Sequence, residues 1–221
     1  MKRSEVNAYI KEAEGIFASY GFLLPEFARW NAEDFAANRE SCAEIFDCKL
    51  GWDVTDFGSD DYLNCGLLLF TLRNGIANSA KYSKPYAEKI MLVKPGQVTP
   101  MHCHYRKQED IINRGGGKLV FKLHSDDNGK PGNGKVSVAM DGRMLTVDSG
   151  STIIVPPGCS LTLTPGVFHT FCAEIGGKPV VTGEVSSVND DDNDNCFAEP
   201  RKRFPGLEED VEPYRLLVAD Y

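Results

Sequence analysis

Near the start of the chain, apolar residues recur at helical spacing. Val6, Ile10, Ala13 and Phe17 fall on one stripe, which predicts an amphipathic helix over residues 4–20. Ser4 can cap its start, and Gly21 can end it in a left-handed conformation. A second helical stretch is expected from Ala32 to Phe46. Residues 1–60 therefore read as a helical N-terminal extension packed on something else.

From about Gly66 the period shortens. GLLLFTL, AEKIMLVK, KLVFKL, KVSVAM, RMLTV, STIIV, LTLT, HTFCAEI and VVTGEV are short and rich in β-branched or apolar residues. Turn clusters such as VKPGQ, NRGGG, SDDNGKPGNG and IGGKP separate them, and Asp141-Gly142 is a strong hairpin signal. Many short strands at this spacing, without a βαβ rhythm, predict an all-β sandwich or small barrel over 61–221, the whole chain forming one domain. The tail after Asn189 is polar, then basic through Arg201, Lys202 and Arg203. It then turns partly apolar at Tyr214, Leu216, Leu217 and Val218, as suits a segment that folds back onto the body.

Composition narrows the partners. The 221 residues carry a net charge of −8, which argues against a nucleic-acid partner. No run of eighteen apolar residues occurs, so no transmembrane helix is expected, and the first residues lack the apolar run of a signal peptide. The seven cysteines (42, 48, 65, 103, 159, 172 and 196) form no C-x-x-C pair, which points to reduced thiols in a cytosolic protein.

The chain has only four histidines, and three of them sit in a pattern. His102 and His104 flank Cys103, Glu109 follows five residues later, and His169 lies in a downstream strand segment. If His102 and His104 share a strand they point to one face, and Cys103 points to the other as a core thiol. Glu109 has the wrong parity unless a bend near Tyr105-Arg106 resets the register. With that bend, Lys107 and Glu109 face the site together. Three imidazoles and one carboxylate suit Mn, Fe, Co, Ni or Zn, with coordination positions left open for chemistry. His124 has no such partners and reads as a surface or strand-end residue.

The run Gly96-x5-His102-x-His104-x4-Glu109-x6-Gly116 resembles the first cupin motif, and Gly166-x2-His169 resembles a looser second one. Within cupins the chain resembles the D-lyxose isomerase family, through residues 84–117, 165–171, 183–197 and 203–210. L-ribose isomerase is similar in its H-x-H-x-x-K-x-E arrangement. The resemblance implies a cupin jelly-roll barrel holding a divalent metal, Mn2+ foremost, on His102, His104, Glu109 and His169. It implies a homodimer that interconverts D-lyxose with D-xylulose and D-mannose with D-fructose through a cis-enediol. Aldose–ketose isomerisation needs a base for a carbon-bound proton and positive charge where the enediolate forms. Glu184 is the choice for proton transfer, Lys107 for the charge, and Glu109 for ligation combined with base work. Lys84, Tyr86 and Asp194 are candidate sugar contacts beside these three, and Arg203 or Arg215 could close the pocket from the tail. Cys196 stands where the family pattern places an arginine, a change that bears on loop anchoring or substrate contacts. The alternatives are an Fe-dependent cupin oxygenase, which would not need Lys107 and Glu184 near the metal, and a non-catalytic sugar-binding cupin. A phosphosugar isomerase would need a cationic phosphate pocket, which the strand segments do not display.

Overall fold

The computed structural model describes residues 1–203 and 206–221; Phe204 and Pro205, within the 203–210 stretch, lie outside the described residues. Its helices are α1 (Arg3–Ser19), α2 (Ala32–Asn38) and α3 (Ala43–Asp47). Its strands are β1 (Gly51–Thr55), β2 (Leu67–Arg73), β3 (Tyr86–Val93), β4 (His102–His104), β5 (Glu109–Gly116), β6 (Leu119–His124) and β7 (Lys135–Met140). They continue as β8 (Arg143–Asp148), β9 (Thr152–Val155), β10 (Ser160–Leu163), β11 (Phe168–Ala173), β12 (Val180–Ser187) and β13 (Asn195–Phe197). All paired strands are antiparallel. One sheet runs β1-β2-β3-β12-β5-β10-β7-β8, and the other runs β13-β4-β11-β6-β9.

The two sheets face each other across the main core. Leu69, Met91, Val93, Ile111 and Val180 from the larger sheet meet Leu119, Phe121, Leu123, Phe171 and Ala173 from the smaller. The other face of the larger sheet is also covered. Val6, Ile10, Ala13 and Phe17 of α1 pack on Trp52, Phe70, Ile90, Leu92 and Val181. This second layer explains why β3 reads as an almost unbroken apolar run: both of its faces are buried. Each large side chain of the α1 stripe is worth roughly 1.5–3 kcal/mol by its burial.

The helical readings hold with adjustments. α1 begins one residue early, and Glu5 rather than Ser4 caps it, accepting from Lys2 N at 2.7 Å. Ser4 instead donates to the tail residue Asp210. Gly21 ends the helix at φ +71, with Phe22 N bonded to Phe17 O. The stretch expected as one helix from Ala32 to Phe46 is two, broken by turns over 39–42. Within residues 1–60 there is also a strand, because β1 pairs with β2 from Gly51↔Thr71 to Thr55↔Leu67. At the Asp141-Gly142 hairpin both residues take positive φ, +48 and +81, as a type I′ turn requires. The tail does fold back. Arg3, buried in α1, bonds Glu209 and Asp220, and Glu14 takes Tyr214 and Arg215.

Candidate metal centre and its cavity

Strand register builds the site. His102 and His169 are direct cross-strand partners on β4 and β11, and His104 shares their inward face. Cys103 points the other way and packs with Phe168 and Cys196. One donor nitrogen from each of His102, His104 and His169 lies within 4.8 Å of the others. Each Nδ1 faces a backbone carbonyl: Pro100 at 2.8 Å, Asp194 at 3.3 Å and Val167 at 3.0 Å. A carbonyl can only accept, so the proton sits on Nδ1 and the Nε2 lone pairs converge. Burial holds His102 well below its ordinary pKa, and burial with Lys107 lowers His104, which keeps these imidazoles neutral. Glu109 Oε1 lies 3.5 Å from His104 Nε2 and 3.2 Å from His169 Nε2. Buried lone pairs facing a buried carboxylate repel unless a cation stands between them. The donor set therefore fits a divalent metal, and ligand type alone leaves its identity open.

A bend after β4 delivers the next residues. The Asp194 carboxylate accepts from Arg106 N at 2.8 Å and Lys107 N at 2.9 Å, which pins the chain between His104 and Glu109. Lys107 and Glu109 then face inward. Lys107 Nζ sits 2.8 Å from Glu109 Oε2 and 3.0 Å from Glu184 Oε1. Lys89, directly opposite Glu184 across β3 and β12, places its Nζ 3.2 Å from the same Oε1. Burial opposes charge on all three of Lys107, Glu109 and Glu184, but their mutual attraction outweighs it. Lys107 is raised by Glu109 and Glu184, Glu109 falls well below its usual range beside Lys107, and Glu184 is lowered by Lys107 and Lys89. The site thus presents two carboxylates and an ammonium in their charged forms.

The family described as D-lyxose isomerase matches the chain over residues 1–221. The chain belongs to the D-lyxose isomerase family. It is 48% identical to a D-lyxose/D-mannose isomerase of Serratia proteamaculans, over all of this chain and 98% of that protein. It is 46% identical to a D-lyxose/D-mannose isomerase of Escherichia coli O157:H7, over all of this chain and 97% of the relative. The L-ribose isomerase of Cellulomonas parahominis, solved with L-psicose, shares the fold at a TM-score of 0.63 and 16% identity. That match spans 94% of this chain and 98% of the other.

In this member of the family the imidazoles, Glu109, Lys107 and Glu184 line one small cavity, partly continuous with solvent. Arg203 joins them from the tail; its guanidinium lies 2.5 Å from Asp53 and 3.5 Å from Asp191. Arg215 does not, being held by Glu14 on α1. Three expected sugar contacts are also placed elsewhere. Lys84 pairs with Glu44, Tyr86 is exposed, and both Asp194 oxygens are taken by the bend. Cys196 faces away from the cavity, donating weakly to Gly129 O at 3.5 Å, while its neighbours Asn195 and Phe197 line it. The side chain at position 196 therefore meets the loop at Gly129 and not the cavity. The sequence reading missed Lys89 and Asp191. Lys89 had a signal: it is a lone cation at inward parity with Met91 and Val93 in an apolar strand. Asp191 had none within its acidic run.

Proposed function

We propose that this chain is a metal-dependent ketol isomerase of free monosaccharides, interconverting D-lyxose with D-xylulose and D-mannose with D-fructose, with Mn2+ as the preferred ion. The observation that carries the reading is the Glu109–Lys107–Glu184 bridge beside three convergent imidazoles, in a chain so close to enzymes of that name. His102, His104, His169 and Glu109 would hold the cation. Bound there, the metal supplies Lewis-acid polarisation of the sugar carbonyl end.

The protein's own groups do the rest. Glu184 Oε1 is occupied by Lys107 and Lys89, which leaves Oε2 to take a proton from C2 of the aldose and return it at C1. Its ionised state is the form a base requires. Lys107 stays cationic and offsets the negative charge that grows on the sugar oxygens. Glu109 adds a second carboxylate for proton transfer between those oxygens. Arg203 and Asp191 offer a donor fork and an acceptor for sugar hydroxyls, and Phe57 and Phe197 give the wall an apolar face. All seven cysteines are unpaired, in keeping with a reducing cytoplasmic setting, and a twofold dimer is the assembly we assign.

The test is a screen of purified, metal-analysed protein against pentoses and hexoses, with ketose formation as the readout. D-lyxose and D-mannose should be turned over, chelation should abolish it, and Mn2+ should restore it. Glu184→Gln should still bind metal and sugar while turnover falls by about 10²–10⁴-fold. Retained turnover in that variant would refute the assignment of the base. In deuterated water, label should enter at C1 or C2; full turnover without label would favour a hydride shift.

A further inference from the structure

Behind the cavity wall, one buried carboxamide clamps the segment that leaves β12. Asn74, just beyond β2, is 5% exposed. Its Oδ1 accepts from Asn189 N at 3.0 Å, and its Nδ2 donates to Asn189 O at 3.0 Å and to Cys48 O at 3.3 Å. Gripping both the N–H and the C=O of one residue fixes that residue's rotation as well as its place. The Asn189 side chain then points back to the cavity. Its Oδ1 accepts from Lys89 Nζ at 2.6 Å, an orientation forced by an ammonium that can only donate.

Lys89 is the second ammonium on Glu184 Oε1. The terminal torsion of a glutamate is broad and roughly twofold, so a single donor leaves the carboxylate free to swing. Two ammonium groups on one oxygen, Lys107 after β4 and Lys89 on β3, restrict that freedom and leave Oε2 as the other oxygen of a side chain that lines the cavity. We infer that Asn74 and Asn189 are positioning residues for the proposed isomerisation: Asn74 fixes Asn189, Asn189 seats Lys89, and Lys89 aims Glu184. Neither asparagine needs to touch the sugar. The inference rests on the reading of Glu184 as the proton-transferring carboxylate.

The test is a double-mutant cycle on the full-length, metal-loaded protein. Asn189→Ala removes the side-chain link and leaves the Asn74 clamp, which uses only backbone at Asn189, so folding is least disturbed in this variant. Its kcat should fall about tenfold with KM within about threefold, the pattern of a misaligned catalytic group. With a C2-deuterated sugar, the isotope effect on kcat should be at least that of the parent. In a Lys89→Met background, adding Asn189→Ala should cost less than about threefold, because linked residues are not additive. Asn74→Ala should reproduce the kcat loss, with a thermal melt to confirm folding. Independent, multiplying losses in the cycle would overturn the inference, as would a loss confined to KM or an isotope effect that collapses. Glu184→Gln separates the two failures. If that variant stays active, the functional reading is wrong. If it is dead while Asn189→Ala and Lys89→Met act independently, only the positioning chain is wrong.

Discussion

Replacing Lys107 with methionine keeps most of the side-chain volume and deletes one buried charge. The Lys107 nitrogen lies 2.8 Å from Glu109 Oε2 and 3.0 Å from Glu184 Oε1, and all three side chains are nearly inaccessible. Two oxygens held by one atom at those distances are no more than about 6 Å apart, where like charges repel by about 3 kcal/mol at an effective dielectric of 20. Removing one partner of a buried ionic cluster typically costs about 3–5 kcal/mol, because the others lose compensation. The metal-stripped Lys107→Met protein should therefore unfold in urea with its free energy reduced by roughly that 3–5 kcal/mol. Its kcat with saturating Mn2+ should fall by about 10²–10³-fold, the scale for deleting one fixed positive group beside a developing oxyanion. Circular dichroism in urea measures the first quantity, and ketose formation under metal saturation measures the second. A variant of parental stability, or one with more than a tenth of parental kcat, would refute the view that Lys107 joins the two carboxylates into one charged unit.

Other perturbations separate the parts of the molecule. His169→Ala removes one of three convergent nitrogens, so metal retained after dialysis should drop by more than about tenfold; undiminished stoichiometry would detach this ring from the site. Phe17→Ala in α1 empties a position that is 1% exposed and stacked near Trp52, and should cost about 3–5 kcal/mol in denaturant unfolding. A loss under about 1 kcal/mol would mean the N-terminal helix is dispensable to the barrel. Asp194→Ala leaves the Arg106 and Lys107 amides without their acceptor, costing about 1–3 kcal/mol for each orphaned donor and lowering kcat through Lys107. If the variant raises only the sugar KM, Asp194 is a sugar ligand, as the family resemblance implied.

What could be read along the chain was whatever period and chemistry write locally. Alternation places His102 and His104 on one face, and the need to bring Glu109 to that face demands the bend found at residues 105–108. The α1 stripe is legible for the same reason, since one face of a helix is buried and the other is not. Long-range pairing is less visible. β1 and β13 are short strands that exist because β2 and β4 offer them an edge, and nothing within five or three residues announces it. Asp194 and Asp191 show the same limit. They are three residues apart in an acidic run, yet one braces the bend and the other lines the cavity. The loop fold that sorts them is set by Asn74 and Arg203, which lie far off in sequence.

Charge balance explains why so many ionised groups are tolerated beside one another. Around the cavity three buried cations, Lys89, Lys107 and Arg203, face four carboxylates: Glu109, Glu184, Asp191 and Asp53. Arg203 and Asp53 hold one corner, and Asp191 is kept ionised against the cost of burial chiefly by Arg203 and Lys89. The protein alone therefore leaves the cluster one negative charge in excess. A divalent cation held at the imidazoles would reverse the sign and leave one positive charge, and a singly charged enediolate would bring the total to neutrality. On that count the low-dielectric cavity is least burdened when metal and the anionic intermediate are both present, which is the condition for stabilising that intermediate above the neutral sugar. The same count fixes the order of sensitivity. Deleting a cation from the wall should harm turnover more than deleting Asp191, because the first removes the net positive charge that offsets the forming anion and the second does not.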